Sequence, residues 1–291
     1  MNLNKVLGIK LSYVFAYSLL FFVIVSCSSE DNSSQNEEMQ EDDDDDDDDD
    51  DPNGLATRFV FNSNLVIEHS WNTGGCDSLP CDTDQDALTD VFANSLPNDP
   101  YFYMNADEVE LNLACQPQKG RRAEFKQISE GPLTSYSKIE FEALYYDIPD
   151  GGFTIAQLHN RGGSSNKPFF RLEIHDDKLE TVIRKDPEVS SSQTTFSKTD
   201  FSFLNGQDYS LFPLKVILVK DNGSVNITVL QDDTVILDES FQPETSTNWV
   251  TDNGIANGYY LKAGVYNAAT THSENVIVGY RTFKFETNDL N

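Results

Sequence analysis

Three short stretches of this 291-residue chain gather side chains able to move a proton beside a bound anion. Arg122-Ala123-Glu124-Phe125-Lys126-Gln127 reads as a strand, whose side chains alternate faces, so Arg122, Glu124 and Lys126 share one side while Ala123 and Phe125 share the other. Two cations flanking an acid suit an anionic ligand, and a solvated, charge-paired strand face is the plainer alternative. Phe153 to Asn160 is apolar until Gln157 and His159, which share a face and can offer an amide and an imidazole to one bound group. Tyr259 to Asn267 places Tyr260, Lys262 and Tyr266 at one parity, with Gly264 leaving room for a ligand or a bend. Tyrosines near cations suit a sugar acid, although a hairpin strand with amphipathic tyrosines would look the same.

Taken in order, these stretches resemble the signature segments of the alginate lyases of polysaccharide lyase family 7: R-[ST]-E-L-R-E, Q-[IV]-H and Y-x-K-A-G-x-Y-x-Q. Here they stand as RAEFKQ (122–127), QLH (157–159) and YLKAGVYNA (260–268), with supporting matches in YFYMNADEVELNL (101–113) and NKPFFRLEI (166–174). Ala123, Phe125, Lys126, Gln127, Leu158 and Ala268 depart from the pattern. The resemblance implies an all-β jelly-roll sandwich of two antiparallel sheets with a concave groove, and β-elimination on alginate without metal or cofactor. It implies Arg122 and Gln157 as carboxylate neutralisers, His159 and Tyr266 as base and acid, and Glu124, Lys126, Arg171, Tyr260 and Lys262 as substrate-binding residues. A non-catalytic glycan-binding jelly roll, or a lyase for another polyuronate such as glucuronan, are the competing expectations.

The chemistry explains the residue types. A uronate C5 proton is a poor acid beside a charged carboxylate, because its removal builds a second negative charge there. Arg122 can hold the oxygens through charge-assisted bonds, and Gln157 can donate its amide. His159 either donates to the carboxylate or takes the proton. Donors aimed at developing charge contribute about 3–4 kcal/mol each. A phenol has an ordinary pKa of about 10, and neighbouring cations such as Lys262 and Arg122 favour its ionised form. In a mannuronate the C5 hydrogen and O4 share a face, so Tyr266 alone can serve as base and acid. In a guluronate they lie on opposite faces, which assigns His159 as base and Tyr266 as acid. The sequence leaves open the preferred uronate and whether cleavage is endo or exo.

Strands must position these groups. From Phe59 onward, segments rich in Val, Ile, Phe, Tyr and Thr alternate with turn signals such as Asp150-Gly151-Gly152 and Asn205-Gly206. Asp221-Asn222-Gly223-Ser224 between two apolar runs predicts a hairpin, and Asp84 to Asn94 predicts a short helix. One domain over 56–291 is expected, acting as a monomer. The net charge of −29 excludes a broad nucleic-acid-coating surface. Binding a polyanion then requires a local basic stripe, with Arg122, Lys126, Arg171 and Lys262 as its members. Counter-ions screen more distant acids beyond a Debye length of about 8 Å.

The N-terminus carries an address. Lys5 and Lys10 precede an apolar run from Leu11 to Val25, too short for a spanning helix, which ends in Ile24-Val25-Ser26-Cys27. Residues 1–27 read as a secretory signal peptide whose end resembles a bacterial lipobox with lipidation at Cys27, implying a membrane-anchored, surface-exposed outer-membrane lipoprotein. Residues 28–55 include ten consecutive aspartates, Asp42 to Asp51, and read as an extended, disordered tether. Of the remaining cysteines, Cys76–Cys81 is the favoured disulfide, leaving Cys115 free. Asp82 to Asp90 resembles the start of a calcium loop, but Ala87 replaces the turn glycine and no Glu stands at position 12, so a solvated acidic loop is expected.

Overall fold

The computed structural model describes residues 54–289 apart from 74–80, 89–90, 93–95, 108, 147–150, 163–164, 176–177, 187–192, 201–212, 244–250, 253–254, 257 and 268–273. Cys27, Cys76 and nearly all of the tether lie outside the described residues.

Alternation of buried and half-buried residues runs along Leu214–Asp221 and through much of Ser137–Tyr146, as required of a strand with one face on a core. The first sheet is ordered Thr234–Phe241, Ser224–Gln231, Leu214–Asp221, Ser137–Tyr146, Val276–Thr287, Leu111–Cys115, Phe102–Met104, Asn98–Asp99. Phe59–Val60 adds a short parallel pairing to Val276–Thr287. The second sheet is ordered Gln193–Asp200, Lys178–Arg184, Ser165–His175, Phe153–Gly162, Gly258–Tyr266, Arg122–Gln127, Leu65–His69, Asp84–Ala87, with every pairing antiparallel. The inner faces of both sheets meet in one aromatic-rich core, where Phe125 packs 4.2 Å from Phe283 and 5.3 Å from Tyr280 between ring centroids. The expected jelly-roll sandwich of two antiparallel sheets is the observed architecture.

The Asp221–Ser224 hairpin forms as expected: Asn222 and Gly223 both take positive φ (50° and 79°), the mirror-image turn that matches strand twist. Among the described residues, the helix predicted from Asp84 to Asn94 does not form. Asp84–Ala87 is an edge strand paired with Leu65–His69, where Asp86 accepts from His69 (3.0 Å) and Gln85 donates to Glu68 (3.3 Å). These cross-strand contacts outweigh a weak local helical preference. Tyr101 also donates to Asp86 at 2.6 Å, so this acid of the suspected calcium loop is engaged by His69 and Tyr101. Cys81 is disulfide-bonded and Cys115 is free and buried.

Gln127, a departure from the family pattern, works at the end of the sandwich. Its amide donates to Asp289 (2.8 Å) and its carbonyl oxygen accepts from the Leu261 backbone (3.1 Å). Asp289 also pairs with Lys220 at 2.7 Å, both side chains almost wholly buried.

Candidate active site

The second sheet brings the three stretches side by side. Gly258–Tyr266, last of them in the sequence, lies between the other two. Lys262 stands opposite Lys126 on one side and Gln157 on the other. Tyr260 stands opposite His159, Gly264 opposite Glu124, Tyr266 opposite Arg122, and Arg171 opposite Gln157. Ala123, Phe125, Leu158, Leu261, Ala263 and Val265 fill the core, so by alternation Arg122, Glu124, Lys126, Gln157, His159, Tyr260 and Lys262 share the opposite face. Gly264 makes room for the adjacent backbone rather than a ligand. A Cβ there would sit 2.2 Å from the Ala123 carbonyl oxygen.

This face is charge-paired, yet it is not the solvated face of the plainer alternative. Glu124, Lys126 and Lys262 are 2%, 5% and 1% exposed. The two lysines are held by a residue the motifs do not contain. Glu68, from Leu65–His69, accepts from Lys126 at 2.6 Å, from Lys262, and from Arg122 at 3.4 Å. Glu124 accepts from Lys262 at 3.1 Å and from the Gln157 amide, and lies 3.7 Å from Arg122. Three cations against two carboxylates leave this floor one positive charge. The sequence signal for Glu68 was available: a lone acid inside Leu65-Val66-Ile67-Glu68-His69, just as Gln157 and His159 close an apolar strand.

Burial alone would raise the Glu68 carboxyl, but Lys262, Lys126 and Arg122 outweigh it and hold the group well below the usual carboxylate range. Burial likewise opposes ionisation of Asp289, which Lys220 and hydrogen bonds from Ser135 and Gln127 overcome, lowering it. A carboxyl depressed in the folded state stabilises the fold above its unfolded pKa of about 4 and loses that contribution as pH falls through its folded pKa. The melting temperature is therefore expected to hold from neutrality to about pH 5 and to drop steeply below about pH 4. Asp289→Asn should flatten part of that drop, and a melting curve insensitive to acid would show that these pairs do not stabilise the fold.

His159 sits in a setting that selects its protonation state. Burial, then Lys262 and Arg122, push its pKa well below the ordinary value, so the ring is neutral at physiological pH. Its Nδ1 lies 3.0 Å from the Asn160 carbonyl oxygen, which can only accept. The proton is thereby assigned to Nδ1, and Nε2 carries the lone pair. The His159 ring stacks on Tyr260, centroids 5.1 Å apart, and the Lys126 ammonium lies 5.6 Å from the Tyr260 ring centroid.

Tyr266 does not meet His159. It lies six positions from Tyr260, roughly 20 Å of strand, and it stands across from Arg122 and Thr154. The Arg122 guanidinium lies 4.3 Å from its ring centroid, a cation–π contact. The structure thus brings together Arg122, Glu124, Lys126, Gln157, His159, Tyr260 and Lys262, and sets Tyr266 at one end beside Arg122. Arg171 is adjacent to Gln157 in register but is engaged by Glu173 at 3.1 Å. A recess of about 340 Å³ opens elsewhere, beside Asp86, Tyr101 and Phe102. None of the motif residues lines that recess. Among the described residues, no three or more His, Cys, Asp or Glu side chains are grouped to hold a metal ion.

No sequence-family profile and no curated protein sequence matches the chain. Solved structures do. An alginate lyase belonging to polysaccharide lyase family 7 superposes with a TM-score of 0.56 at 14% identity, covering 78% of this chain and 96% of its own. The alginate lyase of Corynebacterium sp. gives 0.51 at 12% identity, covering 80% and 97%. Another, in complex with dimannuronate, gives 0.55 at 10% identity, covering 79% and 91%. The fold is that of the family 7 polysaccharide lyases. At these identities the likeness establishes the architecture, and the chemistry must be argued from the side chains.

Proposed function

We propose that this chain is a polysaccharide lyase that cleaves alginate by β-elimination on the Arg122–Gln157–His159–Tyr260 face. The observation that carries this is the His159 tautomer: a neutral imidazole with its Nδ1 proton committed to Asn160 and Nε2 left to accept, stacked on a phenol and flanked by carboxylate-binding groups. A purely adhesive surface has no use for a base so arranged.

In this mechanism a uronate carboxylate takes up the floor's surplus positive charge, held by Arg122 and by the second amide hydrogen of Gln157. His159 Nε2 removes the C5 proton. The electron pair forms the C4–C5 double bond, the C4–O4 bond breaks, and O4 takes its proton from a phenol. The stacking of Tyr260 on His159 and their shared register support Tyr260 as that phenol, in place of Tyr266, which the resemblance nominated. A base of lowered pKa is fully available at neutral pH but weak, so the charge held on the carboxylate must supply most of the driving force. Where C5–H and O4 share a face, Tyr260 can perform both transfers. Glu124, Lys126 and Lys262 act as the floor beneath the sugar, and Arg171 is the candidate for a neighbouring carboxylate. The N-terminal 27 residues with Cys27, followed by the acidic 28–55 stretch, fit a lipid-anchored outer-membrane lipoprotein whose domain over 56–291 stands off the surface.

The test is ultraviolet absorbance of the unsaturated product on polymannuronate, polyguluronate and glucuronan. A rise on the alginate polymers is expected. A rise on glucuronan alone would reassign the substrate, and none on any polymer would leave a glycan-binding module.

A further inference from the structure

Glu68 and Glu124 stand directly opposite each other on adjacent strands. Like charges in that position destabilise a sheet, and both of these are buried. The arrangement persists because Arg122, Lys126 and Lys262 interleave with the two carboxylates. Replacing such a grid with apolar groups is often neutral or stabilising, so stability is a poor reason to have it. What it achieves is geometry. Through Glu68, one carboxylate from the sheet's outer strands reaches the guanidinium proposed to grip the substrate, the ammonium above the Tyr260 ring, and the ammonium opposite Gln157.

We propose that Glu68 is a positioning residue of the lyase site, fixing Arg122, Lys126 and Lys262 beneath the uronate without touching the substrate itself. This rests on the lyase assignment above and extends it to a strand that none of the motifs covers. The charge of Glu68 also bears on His159. The groups facing that imidazole are Lys262 and Tyr260 from one neighbouring strand, Arg122, Lys126 and Glu124 from the next, and Glu68 beyond it. On its other side the uncharged Pro168 is opposite, with exposed Lys167 one position away. Removing Glu68 leaves the cations less compensated and makes His159 harder to protonate.

The experiment compares wild type, Glu68→Gln, and the double variant Glu68→Gln/Lys126→Gln. Glu68→Gln is expected to lower kcat about 10²-fold, the scale of a catalytic group misplaced by an ångström. It should also move the acid limb of kcat/KM down by about 0.5 pH unit, as expected for losing one nearby negative charge. The double variant removes the ammonium that Glu68 neutralised as well, and should recover the melting temperature without recovering turnover. Wild-type kcat and pH profile in folded Glu68→Gln would overturn the proposal, as would full recovery of turnover in the double variant, which would reduce Glu68 to a counter-charge for Lys126. A separate readout is the Nη–H resonances of Arg122, whose Nη1 faces Glu68, assigned with Arg122→Lys. They should be protected from exchange in wild type and lose that protection in Glu68→Gln. If wild type cleaves no uronate polymer the lyase assignment falls, and this signal alone then decides Glu68: lost protection upholds the positioning role, and unchanged protection overturns it.

Discussion

Tyr260→Phe is expected to lower turnover on alginate by about 10³-fold or more, while an alginate oligosaccharide still binds. Removal of a positioned general acid or base commonly costs about 10²–10⁴-fold, and this phenol is assigned at least the protonation of the leaving oxygen. Its ring is the one stacked on His159, and only 2% of the residue is exposed. Deleting one hydroxyl leaves the stacking and the Lys126 contact largely intact, so the melting temperature should change little. Tyr266→Phe is the matched control. Its ring lies beside the Arg122 guanidinium, and Phe retains that contact, so a loss of less than about tenfold is expected, the ring face being what the cation meets. Product absorbance under saturating substrate measures both, with calorimetry for binding. The opposite pattern, Tyr266→Phe inactive and Tyr260→Phe active, would return the acid role to the residue the motif order nominated and refute the register argument.

The second large effect is expected at Arg122. Arg122→Lys keeps the charge but loses the planar fork that can grip a carboxylate with two bonds. The buried pair Glu68 and Glu124 would still meet a cation, so the fold should survive. Loss of a donor aimed at developing charge costs about 10²–10³-fold in kcat. Because Arg122 is assigned to the charge that grows during proton removal, kcat should fall more than KM rises. A variant with unchanged kcat and weakened binding would make Arg122 a substrate anchor only. Gln157 is less suited to such a test, since its amide also donates to Glu124 and its loss would leave that carboxylate short of a partner.

Several elements were legible from local pattern because they depend on near neighbours. The Asn222-Gly223 turn needs only two residues that tolerate positive φ. The inward Ala123 and Phe125 and the outward Arg122, Glu124 and Lys126 follow from strand alternation, and both proved correct. Other features lay in pairings between distant segments. Asp84–Ala87 became a strand because Leu65–His69 offered it an edge and its side chains found Glu68 and His69 there. Gln127 looked like a damaged motif position, yet it binds Asp289 and the Leu261 backbone. Lys126 and Lys262 were expected in a basic stripe facing the polymer. The structure spends much of their charge on Glu68 and Glu124, because a cation buried on a sheet face needs a carboxylate close by.

The sequence by itself determined the strand-forming segments, the face each motif side chain takes within its own strand, and the order in which an arginine, an amide, an imidazole and two phenols occur. Those properties follow from the two-residue repeat of a strand and from local turn chemistry. Only the tertiary structure decided that the third stretch lies between the first two, that His159 faces Tyr260 and not Tyr266, and that Glu68 joins the cluster. Register between strands more than a hundred residues apart is set by how two whole sheets close over one core. A partner six positions along a strand is then too far away, whatever the motif that contains it.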